Sequence, residues 1–184
     1  MIRYLRIDIS FITLFIIAFN LFYSCNSENK TNLDNSILNK VITLNDSIVF
    51  LATDCNPHCD SLCFKSEFHF IIMVNASCDA CLSEIWDWKI FVDKHPEFEP
   101  LEFHFLLYGE KYTLPGWIKY ETGMKNFFFW NDPASLFTKE YGIKQDPILN
   151  IFLLDENNKV LFVGNPTKSD QLYEKIIRII FNIS

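Results

Sequence analysis

Apolar and polar positions fall in blocks along this chain, and each change of period marks an element. Residues 68–74 (Phe-His-Phe-Ile-Ile-Met-Val) form a near-continuous apolar run, the pattern of a strand buried on both faces. In 82–94 the apolar positions Leu82, Ile85, Trp86, Ile90 and Phe91 recur at three- and four-residue spacing, which predicts a helix that His95-Pro96 ends. Residues 101–108 read as a second buried strand. Residues 112–125 contain Pro115-Gly116 and then a helix, and 126–130 read as a third strand. Asp132-Pro133 predicts a helix start, with Asp as N-cap and Pro in the first turn, over 134–141 with Gly142 as its stop. Strands over 148–154 and 160–163, joined by a turn at 156–158, form a hairpin. A last helix over 169–181 carries Leu172, Ile176, Ile177 and Ile180 on one side. Upstream, 41–51 mixes β-branched residues with a turn at Asn45-Asp46, the pattern of a short hairpin or edge strand.

Strands alternating with helices, followed by a hairpin, predict an α/β fold: a central mixed sheet flanked by helices. Apolar residues make up 49% of the chain, enough for a core and too many for global disorder. Nineteen Phe point to one dense core. Five Gly, against about 13 at average usage, argue against turn-dense all-β or Gly-rich architectures. A net charge of −7 disfavours nucleic acid as a partner, since phosphate binding needs clustered Lys and Arg. No phosphate-cradling Gly-rich loop, Ser-His-Asp set or His-Glu-x-x-His motif is present, and no cofactor is expected.

The first 24 residues read as an address. Arg3 and Arg6 precede an apolar stretch over 11–19, and Ser24-Cys25 offers a small residue before a Cys. The segment resembles a bacterial lipoprotein signal, which implies that Cys25 is acylated and becomes the mature N-terminus. An uncleaved anchor and a plain signal peptide are the alternatives, and all three export the remainder to the cell envelope, where disulfides persist. The apolar stretch is shorter than the roughly 20 residues of a spanning helix. Residues 25–40 are polar and poor in aromatics, the composition of a flexible tether, so the globular domain is expected over 41–184.

Six cysteines are too few for a disulfide scaffold, so each is read by position. Cys78-Asp79-Ala80-Cys81 joins the first buried strand to the first long helix. A Cys at a helix start lies near unpaired N–H groups and the positive end of the helix dipole, which stabilise a thiolate. The second Cys, one turn on, is close enough for a reversible disulfide. An inert disulfide and a metal pair are the competing readings.

With the stretch Glu140-Tyr-Gly-Ile-Lys-Gln-Asp-Pro147 and the hairpin 148–164, this motif resembles the thioredoxin-like superfamily over roughly residues 41–184. The resemblance is nearest the exported thiol–disulfide oxidoreductase and AhpC/TSA-type branch. It implies a three-layer thioredoxin-like fold. It also implies catalysis by Cys78 and Cys81, a cis Pro147 facing the pair, and an Asp146 backbone free to bind a substrate chain. Partners would be exported protein thiols and disulfides and an unidentified electron donor. Departures matter. Ala76-Ser77 stand where a Trp is usual, and Ile72 stands where thioredoxins often carry a buried Asp. Asp79 and Asp146 near the thiols disfavour a thiolate, which predicts a reductase or weak exchanger rather than a strong oxidant.

Cys55, Cys59 and Cys63 are an odd set. With His58 they number four ligands, the count of a closed zinc site, but Cys-x₃-Cys-x₃-Cys is not a common zinc spacing. A local disulfide with one spare thiol, or a relay with Cys78 and Cys81, are the alternatives. His69, His95 and His104 read as structural. Glu84 reads as a solvent-facing helix carboxylate, with a proton relay as the alternative. Trp86, Trp88, Trp117 and Trp130 read as core or rim aromatics. A tethered oxidoreductase, a non-catalytic thioredoxin-like binding lipoprotein and a metal-delivery protein are the functions these residues leave open.

Overall fold

A computed structural model describes residues 37–51, 66–109, 126–143 and 150–181. The leader, Cys25, Cys55, His58, Cys59, Cys63, Trp117, the helix expected within 112–125, Asp146 and Pro147 lie outside the described residues. No helix among the described residues is long and apolar enough to cross a membrane.

The strands are β1 (Val49–Phe50), β2 (Phe68–Asn75), β3 (Glu102–Tyr108), β4 (Phe127–Asp132), β5 (Ile151–Asp155) and β6 (Val160–Val163). The helices are α1 (Asp79–Leu82), α2 (Glu84–Lys94), α3 (Leu136–Tyr141) and α4 (Asp170–Phe181). One six-stranded sheet runs β1-β4-β3-β2-β5-β6. β2, β3 and β4 are parallel, while β1, β5 and β6 pair antiparallel, so the sheet is mixed as expected.

The unbroken apolar run of β2 follows from its central place. Phe70, Ile72 and Val74 face a core completed by Ile85, Trp88 and Phe91 of α2 and Ile176 of α4. Ile71 and Met73 face a second core with Ile37, Ile42, Ile48, Trp130 and Phe137. The aromatic content goes into ring-on-ring packing: Trp88, fully buried, has Phe70, Phe103 and Phe91 at centroid distances of 5.2, 5.4 and 5.6 Å.

Of the two readings for residues 41–51, hairpin or edge strand, the structure gives the edge strand, β1. The first part of 37–51 lies along β6, with Asn39 N–H donating to the Val160 carbonyl (2.9 Å) and Val160 N–H to that of Lys40 (2.9 Å). After a turn closed by Ile48 N–H on the Asn45 carbonyl (2.8 Å), the chain joins the opposite edge as β1, beside β4. The segment thus straps one face of the sheet, held there by the buried side chains of Ile37, Ile42 and Ile48. Among the described residues, packing reaches back to Ile37, inside the stretch read as tether. Polar composition hid it, because the side chains that enter the core, Ile37, Ile42 and Ile48, are five and six residues apart.

The helices expected over 82–94 and 134–141 begin at other residues. The first starts at Asp79 and is interrupted at Ser83, whose hydroxyl donates to the Ala80 carbonyl (2.6 Å). The α3 helix starts at Leu136 rather than 134, and Pro133 is outside its first turn. Its N-cap residue, Ser135, is left-handed (φ 52°) and makes no side-chain cap. Asp132, at the end of β4, caps from a distance: its two carboxylate oxygens accept the N–H groups of Leu136 (2.7 Å) and Phe137 (3.0 Å). Asp132 is 1% exposed, so removing it strands two N–H donors with little access to water. Asp132→Ala should destabilise the domain by about 1–3 kcal/mol in urea titrations. Asp132→Asn, with one acceptor oxygen, should recover part of that.

Candidate functional site

The ends of three parallel strands set the site. Asn75, Tyr108 and Asp132 stand in one row across β2, β3 and β4. Beyond Asn75 the chain is pinned to that row, with Ala76 N–H donating to the Tyr108 carbonyl at 2.7 Å. Asn75 then shapes the turn: its Oδ1 accepts Ser77 N–H (2.9 Å) and its carbonyl accepts Cys78 N–H (3.3 Å). Such side-chain-to-backbone bonds are what Asn contributes to a strand exit.

Cys78 is the extended N-cap of α1 (φ −118°, ψ 112°). Its Sγ accepts the N–H of Cys81 at 3.2 Å. Residues three apart at a helix start share a face, and Cys78 and Cys81 are joined as a disulfide with Cα atoms 5.2 Å apart, an ordinary span for that bond. Both cysteines are half-buried, while Asp79 and Ala80 between them are exposed. The expected dipole stabilisation of the thiolate is reduced, because the helix that Cys78 caps is one turn long and ends at Ser83. The local donor on its sulfur is the Cys81 N–H.

Gly109 closes the other side of the loop. Its φ is +109°, and a Cβ there would lie 2.6 Å from Ser77 Oγ and 3.0 Å from Asn75 Oδ1. Gly109→Ala therefore meets backbone strain and a clash together. We expect it to cost about 1–3 kcal/mol, read as a drop in Tm of roughly 5 °C in a thermal melt.

A cleft of about 500 Å³ opens beside Cys81, lined by Glu84, Tyr108, Asn150, Asn165 and Lys168 among others. Glu84 is half-buried here rather than solvent-facing. Burial raises its carboxyl above the usual carboxylate range, while Lys168 and a hydrogen bond from Asn165 Nδ2 (2.7 Å) pull the other way. Asn165 is 1% exposed, and its Oδ1 accepts both the N–H and the hydroxyl of Thr167 (2.9 and 2.7 Å). Tyr108 is raised above the ordinary phenol value, by burial first and then by Glu84. At the rim Lys168 pairs with Asp87.

The structure thus brings Cys78, Cys81 and Glu84 to one end of the sheet. His69 and His104 sit buried between strands and His95 caps α2, all in structural positions as expected. Trp88 and Trp130 are core aromatics, and Trp86 is half-buried. No group of three or more His, Cys, Asp or Glu able to hold a metal exists among the described residues. Tyr108, Gly109, Asn150 and Asn165 were not singled out from the sequence. Gly109 directly after a buried strand and Gly164-Asn165-Pro166 directly after another are turn signals that mark two of them.

No family model matches the chain, and no curated protein matches it. Solved structures do. The solution structure of a thioredoxin-like protein in its oxidised form superposes with a TM-score of 0.53 at 16% identity, over 79% of this chain and 98% of that one. The solution structure of a protein described as a thiol-disulfide oxidoreductase from Bacteroides vulgatus superposes with a TM-score of 0.51 at 14% identity, over 76% and 91%. Identities this low speak to architecture, and by its architecture the chain has a thioredoxin-like fold.

Proposed function

We propose that this chain is an exported, membrane-tethered thiol–disulfide oxidoreductase acting on the disulfides of exported proteins as a reductase or weak exchanger. The observation that carries the reading is the half-buried Cys78–Cys81 disulfide, placed where the central strand of a thioredoxin-like sheet hands over to a helix. In the dithiol form, Cys78 as thiolate attacks one sulfur of a client disulfide. The client S–S bond breaks and its other sulfur leaves as thiolate. Cys81, deprotonated, then attacks Cys78, expels the second client sulfur and closes the Cys78–Cys81 bond. The client gains two electrons and two protons, and the pair loses them.

Glu84 shares a cleft with Cys81, and a carboxyl held above its usual range there suits the uptake and return of the Cys81 proton. Asp146 and Pro147 are proposed to present backbone to the client chain. The tether is a lipid on Cys25, and the electron donor is a second exported or membrane-bound thiol system. The test is trapping in cells with Cys81→Ala, which leaves the mixed disulfide unresolved. Client proteins joined covalently to Cys78 and released by reductant are the expected result. Absence of any adduct, with the variant exported and folded, sinks the proposal in favour of a binding module.

A further inference from the structure

The cleft beside Cys81 has the size of a small-molecule site and a polar lining that a proton path does not need. Cys81 lines it and Cys78 does not. The volume, about 500 Å³, falls in the usual range for ligand pockets. Asn150, 8% exposed, lines the same cleft, and its Oδ1 has no hydrogen-bond partner among the described residues. A buried acceptor without a donor is costly, and the chemistry it calls for is an N–H group. Glu84 adds a carboxyl to that lining, and at the rim Lys168, ion-paired with Asp87, supplies a cation whose remaining donors can reach a ligand carboxylate. The cleft therefore offers acceptors for an ammonium group and a cation for a carboxylate.

We propose that this cleft binds a low-molecular-weight zwitterionic aminothiol or its disulfide, of the cysteine and cystine class, and lets it exchange directly with Cys81. The inference rests on the redox reading of the pair and names a second class of substrate for it. In the reducing direction the small thiolate attacks Cys81 Sγ. The Cys78–Cys81 bond breaks and its electron pair leaves on Cys78, whose sulfur accepts the Cys81 N–H and is thereby the stabilised leaving group. A second thiolate attacks the small sulfur of the mixed disulfide and expels Cys81. Two small thiols become one small disulfide, and the pair gains two electrons and the two protons. Protein clients meet Cys78 and small clients meet Cys81, so the two ends of one disulfide serve different partners.

The test uses full-length Cys78→Ser protein and cystine as the probe. The expected result is a half-cystine on Cys81, located by peptide mass mapping, formed at a rate that saturates with cystine. Lys168→Met and Asn150→Leu, each added to Cys78→Ser, should raise the half-saturating concentration about tenfold, as loss of one charge-assisted or buried hydrogen bond does. Dithiodipropionate, which lacks the ammonium groups, should react about tenfold more slowly at equal concentration. Should Asn150→Leu fail to fold, Lys168→Met and the dithiodipropionate comparison still decide the matter. An unreactive Cys81, or equal rates with both disulfides, overturns the proposal. Insulin reduction by the unaltered chain reports separately on the redox reading. Activity there with an unreactive Cys81 removes the small-thiol site alone.

Discussion

Cys78→Ala should abolish dithiothreitol-driven insulin reduction, by roughly a thousandfold or more, the scale on which removing one member of a catalytic unit acts. Cys81→Ala should slow it to the rate at which dithiothreitol itself resolves the mixed disulfide. The two losses should differ in kind. Without Cys78 the attacking sulfur is gone, so no mixed disulfide with a protein client forms. Without Cys81 the first step survives and the second does not, so one equivalent of client is captured and then released only by added thiol. The half-exposed setting of both sulfurs makes both steps sterically open, and the exposed Asp79-Ala80 bridge leaves the rim of the pair clear. Stopped assays with mass analysis of the captured species separate the outcomes. Equal residual activity in the two variants would mean that the disulfide is a staple and that the fold serves binding. Loss of the staple alone would appear as a fall in Tm without a change in a reaction rate.

The sheet and its helices were legible because β2, β3, β5 and β6 are buried, so their apolar runs stand out against the turns that bound them. The cysteine pair was legible because its position between a strand and a helix is local in sequence. What sequence did not show is what depends on distant residues. Residues 37–40 look like tether until β6 is beside them. Asp132 looks like an N-cap in contact with its helix, yet the left-handed Ser135 moves the helix start and leaves the carboxylate reaching across three residues. Glu84 looks like a surface residue of a helix, yet it is half-buried and accepts a hydrogen bond from Asn165, 81 positions away. The cleft beside Cys81 is built from β2, β3, both pieces of the broken helix, the start of β5 and the turn after β6, and no window of the sequence contains it.

Acid should unfold this domain earlier than its carboxylates alone would require, and His69 should be the reason. Its ring is fully buried on the strapped face of β2, and His104 on β3 stands with its ring centroid 5.9 Å away. Burial pushes the His69 pKa down from 6.5 to about 3, the neighbouring His104 pushes the same way, and a hydrogen bond with Asn158 offsets part of it. His104 is lowered too, by its own burial, although Glu102 at 3.5 Å favours its proton. The sign follows from which state takes up protons. Between pH 6.5 and about 3 the unfolded chain protonates His69 and the folded chain does not, so stability falls with falling pH. Each pH unit across that window removes about 1.4 kcal/mol, a steep loss for a domain whose whole stability is on the order of 10 kcal/mol. Urea titrations from pH 7 to pH 4 should show the slope directly. His69→Leu, close in volume and without a titrating group, should flatten the curve over that window whatever it does to stability at neutral pH. An unchanged slope in that variant would assign the acid sensitivity to His104 and the carboxylates and leave the His69 imidazole a bystander.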